Sequence, residues 1–206
     1  MERDFGLQHA YWTRARRMQV QPEDEELYME EFIKNKKTVF KTRDPLGQSI
    51  EVCEGLYNEE HMRLLLVDGA MQSAQYLDPL LQDELTFEYM REFEWAFRLH
   101  PSAQRVLLIG GGGFAYPRFF LKQYPEKSID VVELSPTIEV ARDYFGLRAL
   151  EAQYSDRLHV IVGDGHRYLE NTIIKYDAIL NDAYIGYKSS ASMQASAQLF
   201  HQCLTD

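Results

Sequence analysis

The stretch "VLLIGGGGFAYPR", residues 106–118, decides the fold. Its apolar run predicts a buried strand, and the residues after the glycines predict a helix over 115–124. Pro117 falls in the first turn of that helix, where proline is tolerated. The four glycines between strand and helix let the backbone turn tightly and let a ligand approach the helix amides. This order predicts the first unit of an α/β domain.

Strands and helices continue to alternate after this unit. The segments "IDVVEL" (129–134), "LHVIVGD" (158–164) and "YDAILND" (176–182) predict three further strands. Helices are predicted over "TIEVARDYF" (137–145), in a short segment after the third strand, and over "ASMQASAQLFHQCL" (191–204). Alternation of this kind implies right-handed crossovers and a parallel sheet.

The residues before the glycines predict two smaller units. Residues 38–82 contain short apolar or β-branched runs separated by turn residues, which predicts a small antiparallel β-module with a hairpin at "DGAMQ" (68–72). Residues 1–37 form a polar extension with a helix predicted over 23–37. A helix over 83–101 opens the third unit, 83–206, and its i, i+4 repeat of Leu85, Tyr89, Phe93 and Phe97 predicts a face turned to the core.

Composition excludes several classes of protein. The net charge of −10 argues against a nucleic-acid-binding surface and mildly favours a cationic ligand. The two cysteines, Cys53 and Cys203, are too few for a disulfide framework and lack metal-ligand spacing. The chain has no apolar run long enough to span a membrane and no signal-peptide pattern at residue 1. We therefore expect a cytoplasmic protein without a metal, nucleic-acid or membrane partner.

Four polar or glycine signals follow the four predicted strands. They are the loop of Gly110, Gly111, Gly112 and Gly113, then Glu133, then "GDG" with Asp164 and Gly165, and finally Asp182 in "NDAY". Ligands of parallel sheets bind at the carboxyl ends of the strands. An acid at Glu133 suits ribose hydroxyls, and Asp164 suits an adenine amino group. Asp182 suits a cationic sulfonium or a protonated amine, so the set predicts binding of a nucleoside of the S-adenosylmethionine type.

The chain resembles the spermidine synthase (polyamine aminopropyltransferase) family from about Thr38 onward. The resemblance lies in "QSIEV", "LLLVDGAMQS", "RVLLIGGGG", "VVELSP", "VGDGHRYL" and "YDAILNDAY", in that order. It implies a Rossmann-like, S-adenosylmethionine-dependent methyltransferase fold preceded by a small antiparallel β-module. It also implies decarboxylated S-adenosylmethionine or S-adenosylmethionine as co-substrate, a small amine as acceptor, and a homodimer.

The resemblance also assigns roles to individual residues. The cofactor-binding residues it implies are Gln48, Gly110, Gly111, Gly112, Gly113, Glu133, Asp164 and Gly165. Asp182 matches the catalytic aspartate, which orients and deprotonates the amine. Gln72 matches an acceptor-binding glutamine, and Tyr184 is a candidate for hydrogen bonding or packing against the acceptor.

Three positions depart from the family pattern, and the end of the chain raises a further point. Gly113 stands where the family has an aspartate that pairs with the co-substrate amine, Ile185 replaces a second acid, and Phe87 replaces a tyrosine. The family also continues into further strands after the segment that matches "LFHQCLTD" (199–206). A four-stranded sheet would expose the edge of its last strand, so either the sequence is a fragment or a partner covers this edge, and we expect a fragment of a longer protein.

These features leave four hypotheses. Asp182 and Gln72 favour an aminopropyltransferase, whereas Gly113 and Ile185 favour a methyltransferase on the same fold. The missing late strands favour a non-catalytic nucleoside-binding homologue. A nicotinamide dehydrogenase would explain only the glycines and Glu133, because hydride transfer has no standard role for Asp182.

Overall fold

The computed structural model describes residues 32–44, 47–57, 59–183 and 190–205. Most of the predicted N-terminal extension, including most of the helix over 23–37, lies outside the described residues. Within them, residues 32–35 are helical, and Phe32 is completely buried. Its ring meets Tyr57 edge-on, with 6.5 Å between ring centroids. Phe32, near the end of the predicted extension, therefore belongs to the core of the β-module.

The β-module is a four-stranded antiparallel sheet in the order β1-β2-β3-β4. Its strands are β1 (Lys37–Arg43), β2 (Ser49–Tyr57), β3 (Glu60–Val67) and β4 (Ala70–Tyr76). Asp68 and Gly69, with φ of 49° and 81°, form the two-residue turn between β3 and β4. The predicted hairpin at this point is confirmed.

The second sheet is parallel and has the order β7-β6-β5-β8. Its strands are β5 (Arg105–Ile109), β6 (Ser128–Glu133), β7 (Leu158–Val162) and β8 (Ala178–Asn181). The helices are α1 (Tyr89–Glu92), α2 (Glu94–Leu99), α3 (Ala115–Gln123), α4 (Ser135–Tyr144), α5 (Leu147–Gln153), α6 (Gly165–Asn171) and α7 (Ser190–Cys203). The four strands predicted from residue 106 onward are confirmed, together with their parallel arrangement.

The prediction of a single helix over 83–101 is wrong, because the helical residues are fewer and are divided between two helices. Residues 83–88 are not helical, and α1 and α2 are separate short helices that meet at Phe93. The Thr86 hydroxyl donates a hydrogen bond of 3.2 Å to the Ala74 carbonyl, which ties the segment to β4. At the junction the Phe93 amide donates to the Met90 carbonyl, three residues back, which tightens the turn.

Helix α5 is absent from the sequence-based prediction. It is separated from α4 by Phe145 and Gly146. Gly146 has a φ of 71°, a left-handed conformation in which the chain leaves α4 before α5 begins. Leu147 and Leu150 are the buried residues of α5. They join the main core, so tertiary packing makes this short helix stable.

The two sheets share one hydrophobic core. Ile50, Val52 and Leu65 of the β-module belong to the same buried cluster as Val106 and Leu108 of β5. The module is thus packed on the parallel sheet and its helices, which places β4 beside the glycine-rich loop.

A buried carboxylate joins the strands of the parallel sheet below their carboxyl ends. Asp130 on β6 is only 1% exposed. It accepts hydrogen bonds of 2.8 Å from the Arg105 guanidinium and from the Tyr176 hydroxyl. His159 Nδ1 also lies 2.8 Å from this carboxylate. Asp130 thereby links β5, β7 and the residues that precede β8.

Replacing this carboxylate should destabilise the fold. We expect Asp130→Ala to lower the free energy of unfolding by roughly 2–4 kcal/mol, because several polar groups lose a charged acceptor inside the protein. The control is Asp143→Ala, which removes a surface ion pair with Arg148 and should change it by less than about 0.5 kcal/mol. Urea denaturation of the three proteins measures both effects. Equal losses in the two variants would contradict the structural role of Asp130.

Candidate active site

The sequence signals meet at one edge of the parallel sheet. Ile109 on β5 pairs with Val132 on β6 and with Asn181 on β8. Glu133 pairs with Val162 at the end of β7. The glycine loop, Glu133, "GDG" and Asp182 therefore extend from neighbouring strand ends, as the alternating pattern predicts.

Gly110 allows β5 and the residues after β8 to approach closely. Its φ is 89°, and a Cβ built on it would lie 2.8 Å from the Ala183 nitrogen and 2.9 Å from the Asp182 carbonyl carbon. The Asp182 amide donates a hydrogen bond of 2.7 Å to the Ile109 carbonyl. A side chain at residue 110 would push Asp182 away from the loop, so glycine is required here.

Glu133 holds the glycine loop through its carboxylate. One oxygen accepts hydrogen bonds from the Gly111 amide at 2.8 Å and the Gly112 amide at 2.9 Å. The other oxygen accepts from the Leu134 amide at 2.7 Å. These bonds aim the loop amides at a negative charge. Each carboxylate oxygen offers more than one acceptor site, so capacity remains for the hydroxyls of a ligand.

Phe114 is a structural feature of the loop that sequence reasoning missed. It has a φ of 59°, in the left-handed region, and its side chain is completely buried. A non-glycine residue held there costs about 1–3 kcal/mol. The ring fills the space beside Gly111, where a Cβ would lie 2.8 Å from the Phe114 Cε2 atom. Burial of this ring offsets the strain and fixes the start of α3.

Asp182 is a half-buried carboxyl group with a shifted pKa. Its pKa is raised to about 6, because burial and the nearby negative charge of Glu133 outweigh the lowering effect of the Tyr89 hydroxyl. The group is thus a carboxylate at neutral pH that protonates more readily than an ordinary aspartate. It can attract a cation and accept a proton.

Tyr89 was predicted to face the core, and this prediction is wrong. Its side chain is 47% exposed, and its hydroxyl is near enough to Asp182 to lower the pKa of that carboxyl group. Leu85 and Phe97 of the same repeat are buried as predicted. Tyr89 lies at the first residue of α1, after the non-helical residues 83–88, so the i, i+4 repeat does not run through one continuous helix. The sequence did contain a sign that Tyr89 differs from its neighbours, since a tyrosine hydroxyl on a core face needs a polar partner.

Asp164 and Gly165 lie at the start of α6. Asp164 is exposed, and its carboxylate accepts a hydrogen bond of 2.9 Å from the Arg167 amide, which makes it the N-cap of the helix. Gly165 allows α6 to contact β5, because a Cβ there would lie 2.2 Å from the Ile109 Cγ2 atom. Both residues have these local roles, and their contact with adenine stays a prediction.

The two glutamines lie on the β-module. The Gln72 carbonyl on β4 lies 3.4 Å from where a Cβ of Gly112 would be, so Gln72 borders the loop with an exposed side chain. The Gln48 side chain instead donates to Asp68, at 3.4 Å, across the hairpin ends. The structure thus brings Gln72 to the glycine loop and ties Gln48 to the β3–β4 turn.

Packing accounts for Gly113, the first departure from the family pattern. A Cβ at this residue would lie 2.7 Å from Ser73 Oγ and 2.9 Å from Phe145 Cδ1. Both neighbours are only 1% exposed. The serine hydroxyl has some freedom to rotate, but the buried Phe145 ring has little. The place of an acidic side chain is therefore occupied by the β-module and by the end of α4.

Some predicted features lie beyond the part that the structure describes. Tyr184 and Ile185 are outside the described residues. Within the described ranges, no group of three or more His, Cys, Asp or Glu side chains is placed to hold a metal ion. No helix in those ranges has both the length and the apolar character needed to cross a bilayer.

Comparison with known sequences agrees with this arrangement. A family model described as "Spermine/spermidine synthase domain" matches residues 91–205, more than half of the chain. The polyamine aminopropyltransferase of Vibrio vulnificus (strain CMCP6) is 33% identical over 121 residues, which cover 56% of this chain and 38% of that protein. The polyamine aminopropyltransferase of Thermococcus onnurineus (strain NA1) is 32% identical over 149 residues, which cover 72% of this chain and 49% of that protein. The chain spans about half or less of these relatives.

Solved structures confirm the predicted fold. Spermidine synthase from Thermotoga maritima superposes with a TM-score of 0.59 at 20% identity, covering 82% of this chain and 53% of that one. A probable spermidine synthase from Corynebacterium glutamicum ATCC 13032 superposes with a TM-score of 0.63 at 23% identity, covering 82% of this chain and 60% of that one. At this identity the likeness establishes the fold: a methyltransferase-like parallel sheet with an antiparallel four-stranded sheet before it.

Adding a methyl group at residue 113 should destabilise the protein. We expect Gly113→Ala to lower the free energy of unfolding by about 1–3 kcal/mol, because the buried Phe145 ring must move. The matched control is Gly163→Ala, which meets nothing within 4 Å and has no positive φ, so it should be neutral or slightly stabilising. Denaturant unfolding compares the two. If Gly113→Ala were as stable as the control, the packing explanation would fail.

The charge of Glu133 should be visible in the titration of Asp182. A carboxyl-carbon NMR titration, with the Asp182 signal assigned from its loss in Asp182→Asn, should give a midpoint of about 6. Glu133→Gln removes a nearby negative charge, so the Asp182 carboxylate becomes easier to form and its pKa falls. Glu139→Gln on α4 is the control and should leave the midpoint unchanged. If the Asp182 midpoint were the same in Glu133→Gln as in the unchanged protein, the effect of the Glu133 charge on Asp182 would be contradicted.

Proposed function

The chain belongs to the spermine/spermidine synthase family, and we propose that it transfers an aminopropyl group to a small amine acceptor. The co-substrate in this proposal is decarboxylated S-adenosylmethionine. The observation that carries it is the position of Asp182, a half-buried carboxyl group beside the glycine loop and close enough to Glu133 to be affected by its charge. Two carboxyl groups at one strand edge favour a cationic sulfonium and an ammonium group.

Residues around the loop suit the nucleoside part of the co-substrate. Glu133 has acceptor sites left for ribose hydroxyls beside the loop amides. Leu134 and Val162, at the ends of β6 and β7, expose 42% and 59% of their surface and offer apolar contact to a flat base. Asp164 has a carboxylate at the same edge, available to an adenine amino group. The donors and acceptors present therefore fit the proposed ligand.

Asp182 has two tasks in the proposed reaction. A primary amine has a pKa of about 10.4, so it arrives as an ammonium ion that a carboxylate attracts. The amine nitrogen needs a free electron pair, and Asp182 accepts the proton and passes it to water. The bound co-substrate supplies an electrophilic carbon next to a sulfonium. The nitrogen–carbon bond forms as the carbon–sulfur bond breaks, and the sulfur keeps the electron pair of the broken bond as a neutral thioether.

Methyl transfer from S-adenosylmethionine is the second candidate function. The observation in its favour is the packing at Gly113, where Ser73 and Phe145 occupy the place of the acid that would pair with the co-substrate amine. In methyl transfer, the same fold would hold the carboxylated co-substrate. The two functions differ in which co-substrate binds more tightly and in which nucleoside product appears.

A calorimetric titration with each co-substrate tests the proposal. We expect decarboxylated S-adenosylmethionine to bind clearly more tightly than S-adenosylmethionine. Addition of small diamines should then release 5′-methylthioadenosine, measured by chromatography. Asp182→Asn should retain nucleoside binding and slow the release by about 100-fold or more, since a positioned base contributes about that much.

The other outcomes separate the alternatives. Tighter binding of S-adenosylmethionine, with S-adenosylhomocysteine as product, would support methyl transfer instead. Binding of neither co-substrate would contradict both and leave a non-catalytic homologue. The homodimer and the cytoplasmic location stay predictions, and sedimentation of the purified chain tests the first of them.

A further inference from the structure

The side chain of Ser73 lies against the glycine loop. Its Oγ atom is 2.7 Å from where a Cβ of Gly113 would be, and 3.7 Å from where a Cβ of Gly112 would be. The residue is only 1% exposed. Because neither glycine has a side chain, the serine hydroxyl occupies the space in which a side chain of residue 113 would begin. The β-module thus contributes a polar group at this part of the loop.

An irregularity in β4 accompanies this placement. Met71 and Ser73 pair with two successive residues of β3, so Gln72 is an extra residue in the strand. An extra residue of this kind bends a strand and re-aims the side chains beside it. Ala74, the next residue, packs in a buried cluster of the β-module. Since neighbouring side chains of a strand point to opposite faces, Ser73 faces away from that cluster and toward the loop.

The Ser73 hydroxyl makes no hydrogen bond within the part of the chain that the structure describes. Of the fully enclosed side-chain nitrogen and oxygen atoms in the same part, only Arg105 Nε has no partner. The Ser73 oxygen is therefore not sealed off completely, and a small opening leads to it. An almost buried hydroxyl without a partner is unfavourable, so its presence calls for a group that completes the bond.

The proposed co-substrate would bring such a group to this hydroxyl. Glu133, whose carboxylate receives the amides of Gly111 and Gly112, is the proposed contact of the ribose. Ser73 borders the next part of the loop, so a substituent on the 5′ carbon of the ribose has only a few bonds to cross. The aminopropyl arm ends in an ammonium group, which carries donors only. The serine oxygen is a suitable acceptor for one of them.

From these observations we infer that Ser73 is a ligand-binding residue, whose hydroxyl accepts a hydrogen bond from a primary amine at the end of the 5′ substituent. A neutral hydroxyl from the β-module then stands where an acid on the loop would begin. The inference rests on the proposed function for the class of ligand. It is tested by binding alone, without any transfer reaction.

Two nucleoside analogues isolate the amine. The probes are 5′-deoxy-5′-(3-aminopropylthio)adenosine and 5′-deoxy-5′-(propylthio)adenosine, which have the same neutral sulfur and differ only in the terminal amine. We expect Ser73→Ala to weaken calorimetric binding of the first analogue about tenfold, because a hydrogen bond to a charged group is lost. Binding of the second should change less than about twofold, since its arm has no polar end.

Stability supplies a second readout and a matched control. Ser73→Ala removes a hydroxyl that has no partner, so the midpoint of urea denaturation should stay the same or rise. Thr86→Val is the control, because the Thr86 hydroxyl donates a hydrogen bond of 3.2 Å to the Ala74 carbonyl on the same strand. That variant should lower the midpoint and leave the affinities for both analogues unchanged.

The possible results are distinct. A selective loss for the amine analogue supports the inference, whereas equal losses for both analogues, or no loss, overturn it. If neither analogue binds the unchanged protein, the inference and the nucleoside part of the proposed function both fail. A selective loss in a protein that transfers no aminopropyl group supports the role of Ser73 and contradicts the proposed reaction. If Ser73→Ala does not fold, the nearly isosteric Ser73→Cys decides by the same comparison, because a thiol is a weak acceptor.

Discussion

The close approach of Gly110 to the peptide after Asp182 is the constraint on which the site depends. Since a Cβ at Gly110 would lie 2.8 Å from the Ala183 nitrogen, only glycine lets β5 and β8 end side by side at this point. The same turn aims the amides of Gly111 and Gly112 at the Glu133 carboxylate. One backbone requirement thus sets the positions of both acids and of the loop between them.

The two acids differ because their surroundings differ. Glu133 receives three backbone hydrogen bonds, whereas Asp182 is partly buried and its side chain has no backbone donor among the hydrogen bonds of the described residues. Burial and repulsion from Glu133 raise the pKa of Asp182 to about 6, against the lowering effect of Tyr89. One carboxylate is therefore a fixed part of the loop, while the other responds to a cation or a proton. This division suits a site that holds a ligand and also accepts a proton.

The β-module is part of the site rather than an appendage. Its strand β4 places Gln72 beside Gly112 and places Ser73 against Gly113. The module shares a buried cluster with the parallel sheet, so this contact is part of the packing between the two sheets. The module therefore limits the size of the side chains that fit at Gly112 and Gly113. Together with Phe145, it explains why the loop has a glycine at 113, where the family resemblance implies an acid.

The sequence by itself determined the order of strands and helices, the parallel sheet, and the strand ends at which Glu133, Asp164 and Asp182 lie. These follow from local periodicity and from the rule that parallel strands end at one edge. Only the tertiary structure decided what those residues touch. The close approach of Gly110 to Asp182 and the packing of Ser73 and Phe145 around Gly113 depend on residues distant in the chain. Local patterns carry no information on such contacts, because they arise when separate elements pack together.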